Sequence, residues 1–128
     1  MATLIHLDTH VVAWLYAGRH DLLGRKAVAR IEQSDLLVSP MVLLELEYLR
    51  ESGRTSRGAE AVIDDLASRI GLRVSETPFS RVVDRGLTLT WTRDPFDRLI
   101  VAHAAVDGLP LVTKDRTIRA NYRACVWD

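Results

Sequence analysis

Four carboxylates occupy positions from which they could hold a divalent metal ion: Asp8, Glu45, Asp97 and Asp115. Each of them borders an apolar segment instead of lying within a charged run. Carboxylate oxygens, without a cysteine cluster or paired histidines, favour a hard ion such as Mg²⁺ or Mn²⁺ over Zn²⁺. Such an ion can activate water and neutralise charge that develops on a phosphodiester. The four residues therefore predict metal-assisted hydrolysis of a phosphoester.

Three of the four acids also have a simple structural explanation. Asp8 precedes a predicted helix start and Asp115 precedes a turn, so each could accept a hydrogen bond as an N-cap. Asp97 falls in the first turn of a predicted helix, where the helix dipole favours an anion. All three nevertheless lie at strand ends or helix starts that one edge of a sheet can gather. We therefore prefer convergence on one site as the single explanation.

Glu45 is the acid that is hardest to explain structurally. Its neighbours at helical spacing are apolar or aromatic: Met41, Val42, Tyr48 and Leu49. A carboxylate on such a face is costly to bury unless it meets a cation or a basic partner. Glu47, by contrast, can pair with Arg50 at the surface. Asp94, followed by Pro95, has the pattern of a helix cap, so we interpret both of these acids as structural.

The elements that must position the acids alternate along the chain. Strands are predicted at 3–7, 36–39, 72–74, 110–113 and 124–127, and helices at 9–17, 21–32, 40–51, 57–70, 79–90 and 95–107. This alternation predicts an α/β fold: a single three-layer α/β/α domain over residues 1–128, with a central, mainly parallel sheet of four to five strands. Asp8 and Asp115 lie just past predicted strand ends, where open α/β sheets bind their ligands.

Composition limits the partners and the compartment. The 128 residues carry 17 basic and 17 acidic side chains, so no net charge draws nucleic acid onto the whole surface, and any such contact must be local. The single cysteine, Cys125, cannot form an internal disulfide and is predicted to be a buried thiol. The sequence contains no export signal or membrane-spanning segment, so we expect a cytoplasmic protein that is not bound to a membrane.

Other common catalytic patterns are missing from the sequence. It contains no Gly-rich phosphate loop and no Gly-x-Ser-x-Gly nucleophile motif. A phosphatase of the haloacid-dehalogenase type requires a second aspartate two residues after the first, where this chain has His10. The histidines do not show a metal-binding spacing such as His-Glu-x-x-His, so we expect packing or surface roles for all of them: His6, His10, His20 and His103.

The acidic segments together resemble the PIN-domain ribonucleases, and most closely the VapC-type toxins of bacterial toxin–antitoxin pairs. The resemblance extends over nearly the whole chain. Leu7–Leu15 is similar to the opening strand and first acid of the family, and Val38–Pro40 followed by Glu45 to its second block. Asp94–Ala104 is the most specific segment, and Leu111–Asp115 resembles the fourth block.

The resemblance implies a site, a substrate and partners. Asp8, Asp97 and Asp115 would bind Mg²⁺ or Mn²⁺ directly. Glu45 would hold a metal-bound water molecule or a second ion. The hydroxyl groups expected to hydrogen-bond around these ligands belong to Thr9, Ser39 and Thr113. Such proteins cut RNA, are blocked by a cognate VapB-like antitoxin and commonly form homodimers. A dimer of this kind would bury an apolar helix face here, for example that of Leu43, Leu44 and Leu46.

Basic residues close in sequence to the acids are candidates for holding RNA phosphates. They are Arg93, Arg98, Lys114, Arg116 and Arg119. The main alternative to an enzyme is a PIN-fold module that only binds a partner, in which the four acids would be unconnected helix caps. A metal-dependent phosphatase is the weaker alternative.

Overall fold

One parallel sheet of five strands organises the computed structural model, which describes residues 3–128. The strands are β1 (Thr3–Leu7), β2 (Ser34–Val38), β3 (Arg73–Val74), β4 (Leu111–Val112) and β5 (Cys125–Val126). Their order is β3-β2-β1-β4-β5, and every neighbouring pair is parallel. The chain winds away from β1 in both directions, so the carboxyl end of β1 is the switch point at which open α/β sheets bind ligands.

Seven helices flank this sheet. They are α1 (Thr9–Tyr16), α2 (Arg25–Glu32), α3 (Pro40–Glu51), α4 (Ala59–Ile70), α5 (Phe79–Gly86), α6 (Pro95–Asp107) and α7 (Arg116–Asn121). Parallel strands require crossover connections, and these place helices over both faces. The predicted α/β fold with a central parallel sheet is confirmed. No helix within residues 3–128 combines the length and the apolar character needed to cross a membrane.

The central strand is fixed by burial on both of its faces. Ile5 and Leu7 on one face of β1 and His6 on the other are fully buried, and Leu111 and Val112 of β4 are fully buried beside them. Burying one such side chain contributes about 1.5–3 kcal/mol to folding. The end of β1 is therefore held rigidly, and Asp8 follows it directly.

The predicted helix 21–32 is wrong in its first part. A short 3-10 turn covers His20–Leu22, and α2 begins only at Arg25. Gly24 lies between them, and a Cβ at this position would meet the backbone carbonyl of Trp127. The late start of α2 thus involves a contact with the C-terminal residues, which a local sequence pattern does not reveal.

Several other boundaries differ by a few residues. The second strand begins earlier than predicted, at Ser34, and ends at Val38. The helix predicted over 57–70 begins at Ala59. The helix predicted over 79–90 ends at Gly86, which is buried against Leu99 of α6.

The C-terminal elements also need correction. β4 and β5 are only two residues long, shorter than the predicted strands 110–113 and 124–127. The short helix α7 follows Asp115, where only a capped turn was expected. Cys125 is half-buried instead of buried, and burial raises the pKa of its thiol to about 11. The thiol is therefore protonated and unreactive at neutral pH.

Candidate active site

Asp8 connects the central strand to α1. Its backbone N–H donates to the carbonyl of Val112 at 3.0 Å, which pins the end of β1 to β4. Its carboxylate caps α1 by accepting the Thr9 N–H at 2.8 Å and also accepts the Thr113 hydroxyl at 2.6 Å. Only 4% of the residue is exposed, and burial raises the pKa of its carboxyl group. Asp8 is thus a helix cap and a buried member of the acidic site at once.

Two threonines link three of the predicted acids. The hydroxyl of Thr9 donates to Glu45, while its backbone N–H donates to Asp8. The hydroxyl of Thr113 donates to Asp8 and accepts the backbone N–H of Asp115 at 3.1 Å. A continuous chain of hydrogen bonds therefore joins Glu45, Thr9, Asp8, Thr113 and Asp115. We call its three carboxylate residues, Glu45, Asp8 and Asp115, the threonine-linked acids.

Glu45 is half-buried on α3 and is not part of any ion pair among residues 3–128. Burial raises the pKa of its carboxyl group, while the Thr9 hydrogen bond acts in the opposite direction. The charge of Asp8 raises the same pKa, and the charge of His10 lowers it. The structure thus gives Glu45 a neutral hydroxyl partner instead of the expected cation or basic side chain. Its negative charge is not compensated by direct contact with a base.

Asp97 lies in the first turn of α6, which is started by Asp94 and Pro95. The Asp94 carboxylate accepts the N–H groups of Phe96 at 2.8 Å and of Asp97 at 3.2 Å, which confirms Asp94 as the helix cap. Burial is the largest cause that raises the pKa of Asp97 to about 7. The remaining causes are the charges of four nearby acids: Asp94, Asp8, Asp115 and Glu45.

These shifts show that the fold gathers the predicted acids into one field of negative charge. Asp115 belongs to this field although it also caps α7 by accepting the Ile118 N–H at 2.8 Å. Mutual repulsion of carboxylates favours protonation unless a cation intervenes. A set of oxygen ligands that destabilises its own charge fits a hard divalent cation.

The acids are not spaced as a closed ligand shell. Among residues 3–128, the group whose potential ligand atoms all lie within 4.8 Å of one another is instead His6, His103 and Asp107. The acidic side chains must therefore rotate inward to share one ion. His6 and His103 are buried, whereas His10 and His20 are exposed.

Ser39 and Arg98 make contacts other than those expected. The Ser39 hydroxyl caps α3 by accepting the Met41 N–H at 3.1 Å, and it lies 3.1 Å from Nδ1 of His103. Within residues 3–128, none of the hydrogen bonds of Ser39 reaches the four candidate acids. The Arg98 guanidinium donates to the carbonyls of Gly86, Thr92 and Leu87, with the shortest bond at 2.7 Å. We therefore leave Arg98 out of the candidate RNA contacts.

The remaining basic candidates are exposed near the site. Lys114 precedes Asp115, and its Nζ lies 5.7 Å from the ring centroid of Trp14 on α1. Arg93 is exposed before the start of α6, and Arg116 is exposed at the start of α7. Arg119 is exposed on the same helix. None of these side chains forms an ion pair among the described residues.

His10 acts electrostatically on two of the acids, which the sequence alone did not predict. It is exposed on α1, and its charge lowers the pKa values of both Asp8 and Glu45. Its ring packs on Trp14 with the centroids 5.9 Å apart. Its position two residues after Asp8 was the available signal, because the first turn of a helix stays close to its cap.

Comparisons with known proteins agree with this geometry. The model of the PIN domain family matches residues 5–124. Ribonuclease VapC22 of Mycobacterium tuberculosis (strain ATCC 25618 / H37Rv) is 33% identical over 122 residues, covering 93% of this chain and 92% of that protein.

Solved structures share the fold at lower identity. VapBC2 from Rickettsia felis, bound to a DNA fragment from its promoter, matches with a TM-score of 0.69 and 18% identity, covering 98% of this chain and all of that one. A toxin–antitoxin complex from Klebsiella pneumoniae matches with a TM-score of 0.68 and 17% identity, covering 95% of each chain. At these identities the likeness shows the fold alone.

Proposed function

Because the chain belongs to the PIN-domain family, among its VapC-type members, we propose that it is an endoribonuclease that hydrolyses RNA with the help of a divalent metal ion. The observation that carries this proposal is the threonine-linked acids together with the pKa of Asp97 near 7. The acids come from four separate parts of the chain. Their convergence at the carboxyl end of β1 is the arrangement that metal-assisted hydrolysis needs.

Each acid has a defined role in this proposal. Asp8, Asp97 and Asp115 would hold Mg²⁺ or Mn²⁺, and Glu45 would hold a metal-bound water or a second ion. When bound, such an ion supplies an activated water and neutralises charge on the scissile phosphate. Thr9 and Thr113 fix the side-chain orientations of Glu45 and Asp8 by their hydrogen bonds. His10 adds a positive contribution at the rim of the site when it is protonated.

Local basic residues position the RNA. Arg93, Lys114 and Arg116 are exposed beside the acids, and each can hold a phosphate that flanks the cleaved bond. Arg119 lies one turn further along α7. Because the chain has no net charge, these contacts must supply the attraction. Since RNA is the proposed substrate, the proposed place of action is the cytoplasm.

A toxin role implies two protein partners. Structural neighbours of this chain are named as toxin–antitoxin and VapBC complexes, which supports a VapB-like antitoxin as the natural inhibitor here. A homodimer would use exposed apolar side chains of α3. Leu44 fits that role because it is 43% exposed, whereas Leu46 is 2% exposed and belongs to the core. The expected dimer face must therefore exclude Leu46.

The binding-module alternative explains fewer of the acids. Asp8, Asp94 and Asp115 each cap a helix, as that alternative requires. Glu45 and Asp97 cap nothing, and both are half-buried with raised pKa values. A protein that only bound a partner would gain nothing from these unpaired charges, so the enzyme is favoured.

Cleavage of RNA by the purified chain tests the proposal. We expect cleavage with Mg²⁺ or Mn²⁺, its loss when a chelator is added, and its loss in Asp97→Asn. Asp64→Asn, an exposed acid on α4, is the matched control and keeps the activity. Equal cleavage by the folded Asp97→Asn protein and by the control would overturn the mechanism.

A further inference from the structure

A second group of titratable side chains lies buried between β1 and α6. His103 and Asp107 are four residues apart on α6, so both project from one face of the helix. His6 of β1 faces them, and its Nε2 lies 2.6 Å from Oδ2 of Asp107. Nε2 of His103 lies 3.8 Å from the same oxygen. One potential ligand atom from each residue thus lies within 4.8 Å of the other two.

The two imidazole rings are buried more completely than their hydrogen bonds justify. His6 is 0% exposed and His103 is 1% exposed. Nδ1 of His6 and Nε2 of His103 have no hydrogen-bond partner. A buried polar atom without a partner is destabilising, and Nε2 of His103 is such an atom aimed at the Asp107 carboxylate.

The hydrogen bond to Ser39 prepares His103 as a ligand. Its Nδ1 lies 3.1 Å from the Ser39 hydroxyl, which accepts the Met41 N–H and can also accept an Nδ1–H group from His103. That tautomer leaves a lone pair on Nε2, the atom that faces Asp107 and has no partner. Histidines that bind metals usually donate the other ring N–H in this way, which fixes both tautomer and ring orientation.

The composition of the cluster also suits a cation. Both imidazole rings are buried beside the Asp107 carboxylate, which is hydrogen-bonded to Thr77, His6 and Ser75. The cluster therefore presents two imidazole rings and one carboxylate, with no Lys or Arg side chain among its bonded partners.

A path from solvent reaches the cluster. A cleft of about 740 Å³ is lined on one side by Ser75, Thr77 and Asp107. Ser75 donates to Oδ2 of Asp107 at 3.0 Å from within this lining. An ion that enters the cleft meets Asp107 first, and the two imidazoles lie behind it.

We propose that His6, His103 and Asp107 form a second metal site, separate from the acidic one, that binds a transition metal ion such as Zn²⁺. Two imidazole nitrogens and a carboxylate suit Zn²⁺, and the nearby Ser75 hydroxyl or water would complete four-coordination. On binding, the proton that His6 now shares with Asp107 through Nε2 moves to Nδ1, so the ring remains neutral. The inference does not depend on the RNase activity.

Such an ion would brace the helix that carries Asp97. His103 lies six residues beyond Asp97 on α6, roughly 9 Å along the helix axis. The ion would bind this helix to β1, the strand that ends at Asp8. The second site would therefore stabilise the relative position of two acids without touching either of them.

Zinc binding measured in excess Mg²⁺ tests the proposal. The chain is stripped with a chelator, dialysed, and titrated with ZnCl₂ by calorimetry, with CoCl₂ as the spectroscopic probe for four-coordination. We expect one equivalent of Zn²⁺ to bind in the wild type and in Asp97→Asn. At one hundred times Kd, Zn²⁺ should raise Tm by roughly 10 °C.

Matched variants separate this site from adventitious binding. His103→Gln should weaken Zn²⁺ binding about 100-fold, whereas His20→Gln, in the exposed turn before α2, should leave it unchanged. If His103→Gln does not fold, Ser39→Ala keeps the ring and should still weaken binding about 10-fold. Equal affinity in the folded variants and the wild type, no stoichiometric binding, or binding lost only in Asp97→Asn would each overturn the proposal.

Discussion

The two ends of α6 carry two clusters of titratable groups that are built in opposite ways. At its start, burial and the charges of four other acids raise the pKa of Asp97. No basic side chain among residues 3–128 forms an ion pair with it. Near its end, Asp107 accepts hydrogen bonds from His6, Ser75 and Thr77, and its pKa is lowered. The carboxylates of the first cluster repel one another, whereas the carboxylate of the second is stabilised by hydrogen bonds, although Nδ1 of His6 and Nε2 of His103 have no partner. Perturbed carboxylates of this kind are typical of functional sites, which supports the acidic end of α6 as the candidate site.

The largest effect should come from removing the charge of Asp97. Asp97→Asn keeps the size of the side chain but removes one anionic ligand, so we expect Mg²⁺-dependent RNA cleavage to fall by about 100-fold or more. The measurement is the single-turnover cleavage rate over a series of Mg²⁺ concentrations. Full recovery of the rate at high Mg²⁺ would show that Asp97 acts through ion affinity, as a ligand does, whereas a rate equal to that of the wild type at every Mg²⁺ concentration would remove Asp97 from the metal ligands.

The same cluster should show an unusual pH dependence of stability in the absence of metal. The pKa of Asp97 rises from 3.8 to about 7, so the folded protein holds this proton more tightly than the unfolded chain. Its contribution is therefore fully favourable below about pH 4 and is lost as the pH rises through 7. Allowing for solvent screening, the loss is about 1–3 kcal/mol.

Urea unfolding at pH 5 and pH 8 with a chelator present measures this loss. Asp97→Asn should remove most of the decline, and added Mg²⁺ should restore stability at pH 8 in the wild type. A wild-type decline that Asp97→Asn leaves intact would assign the pH dependence to other groups.

Asp107 should respond to pH in the opposite sense. Its lowered pKa means that its contribution is fully present above the ordinary pKa of an aspartate and is lost as the pH falls through the folded value. Asp107→Asn should cost about 1–3 kcal/mol at pH 7, because three donors lose a charged acceptor. Asp64→Asn serves as the exposed control. A cost at pH 7 as small as that of the control would remove the contrast between the two ends of α6.

The sequence predicted the acidic end of α6 far better than its histidine end, for a physical reason. Asp94 and Pro95 start the helix through local bonds, so their pattern is readable in four consecutive residues. Asp8 follows a strand whose apolar residues identify it equally locally. The convergence of the acids could be anticipated because parallel strands present their carboxyl ends at one edge.

Long-range contacts explain what the sequence did not reveal. The i, i+4 spacing of His103 and Asp107 is visible, but the third member, His6, lies 101 residues before Asp107 and is placed by the pairing of β1 with β4. Gly24 caps α2 inside a predicted helix, at a position where a Cβ would meet the backbone carbonyl of Trp127. Ser39 was expected among the acids, yet its hydroxyl faces His103.

The threonine hydroxyls offer a finer test of the acidic cluster. Thr113→Val keeps the shape of the side chain but removes the donor to Asp8, leaving a buried carboxylate with one fewer hydrogen bond. We expect a cost of about 1–2 kcal/mol in stability and a roughly 10-fold slower cleavage. Thr113→Ser keeps the hydroxyl and should recover most of both. If Thr113→Ser were as slow as Thr113→Val, the methyl group and not the hydrogen bond would be responsible.

The smallest expected effect concerns the exposed basic residues proposed to contact RNA, which are Arg93, Lys114 and Arg116. They belong to the proposed RNA site at the acidic end of α6. Lys114→Met removes one exposed charge next to Asp115, so we expect RNA binding to weaken by roughly threefold to tenfold at low salt, with little change in the rate of the bound complex. The slope of log affinity against log salt should fall by about 0.7, the value for one phosphate contact on a single strand. Lys26→Met, on the exposed side of α2, is the control and should change neither quantity. An unchanged slope in Lys114→Met would show that Lys114, held near the Trp14 ring, does not contact phosphate, and would transfer the positioning role to Arg93 and Arg116.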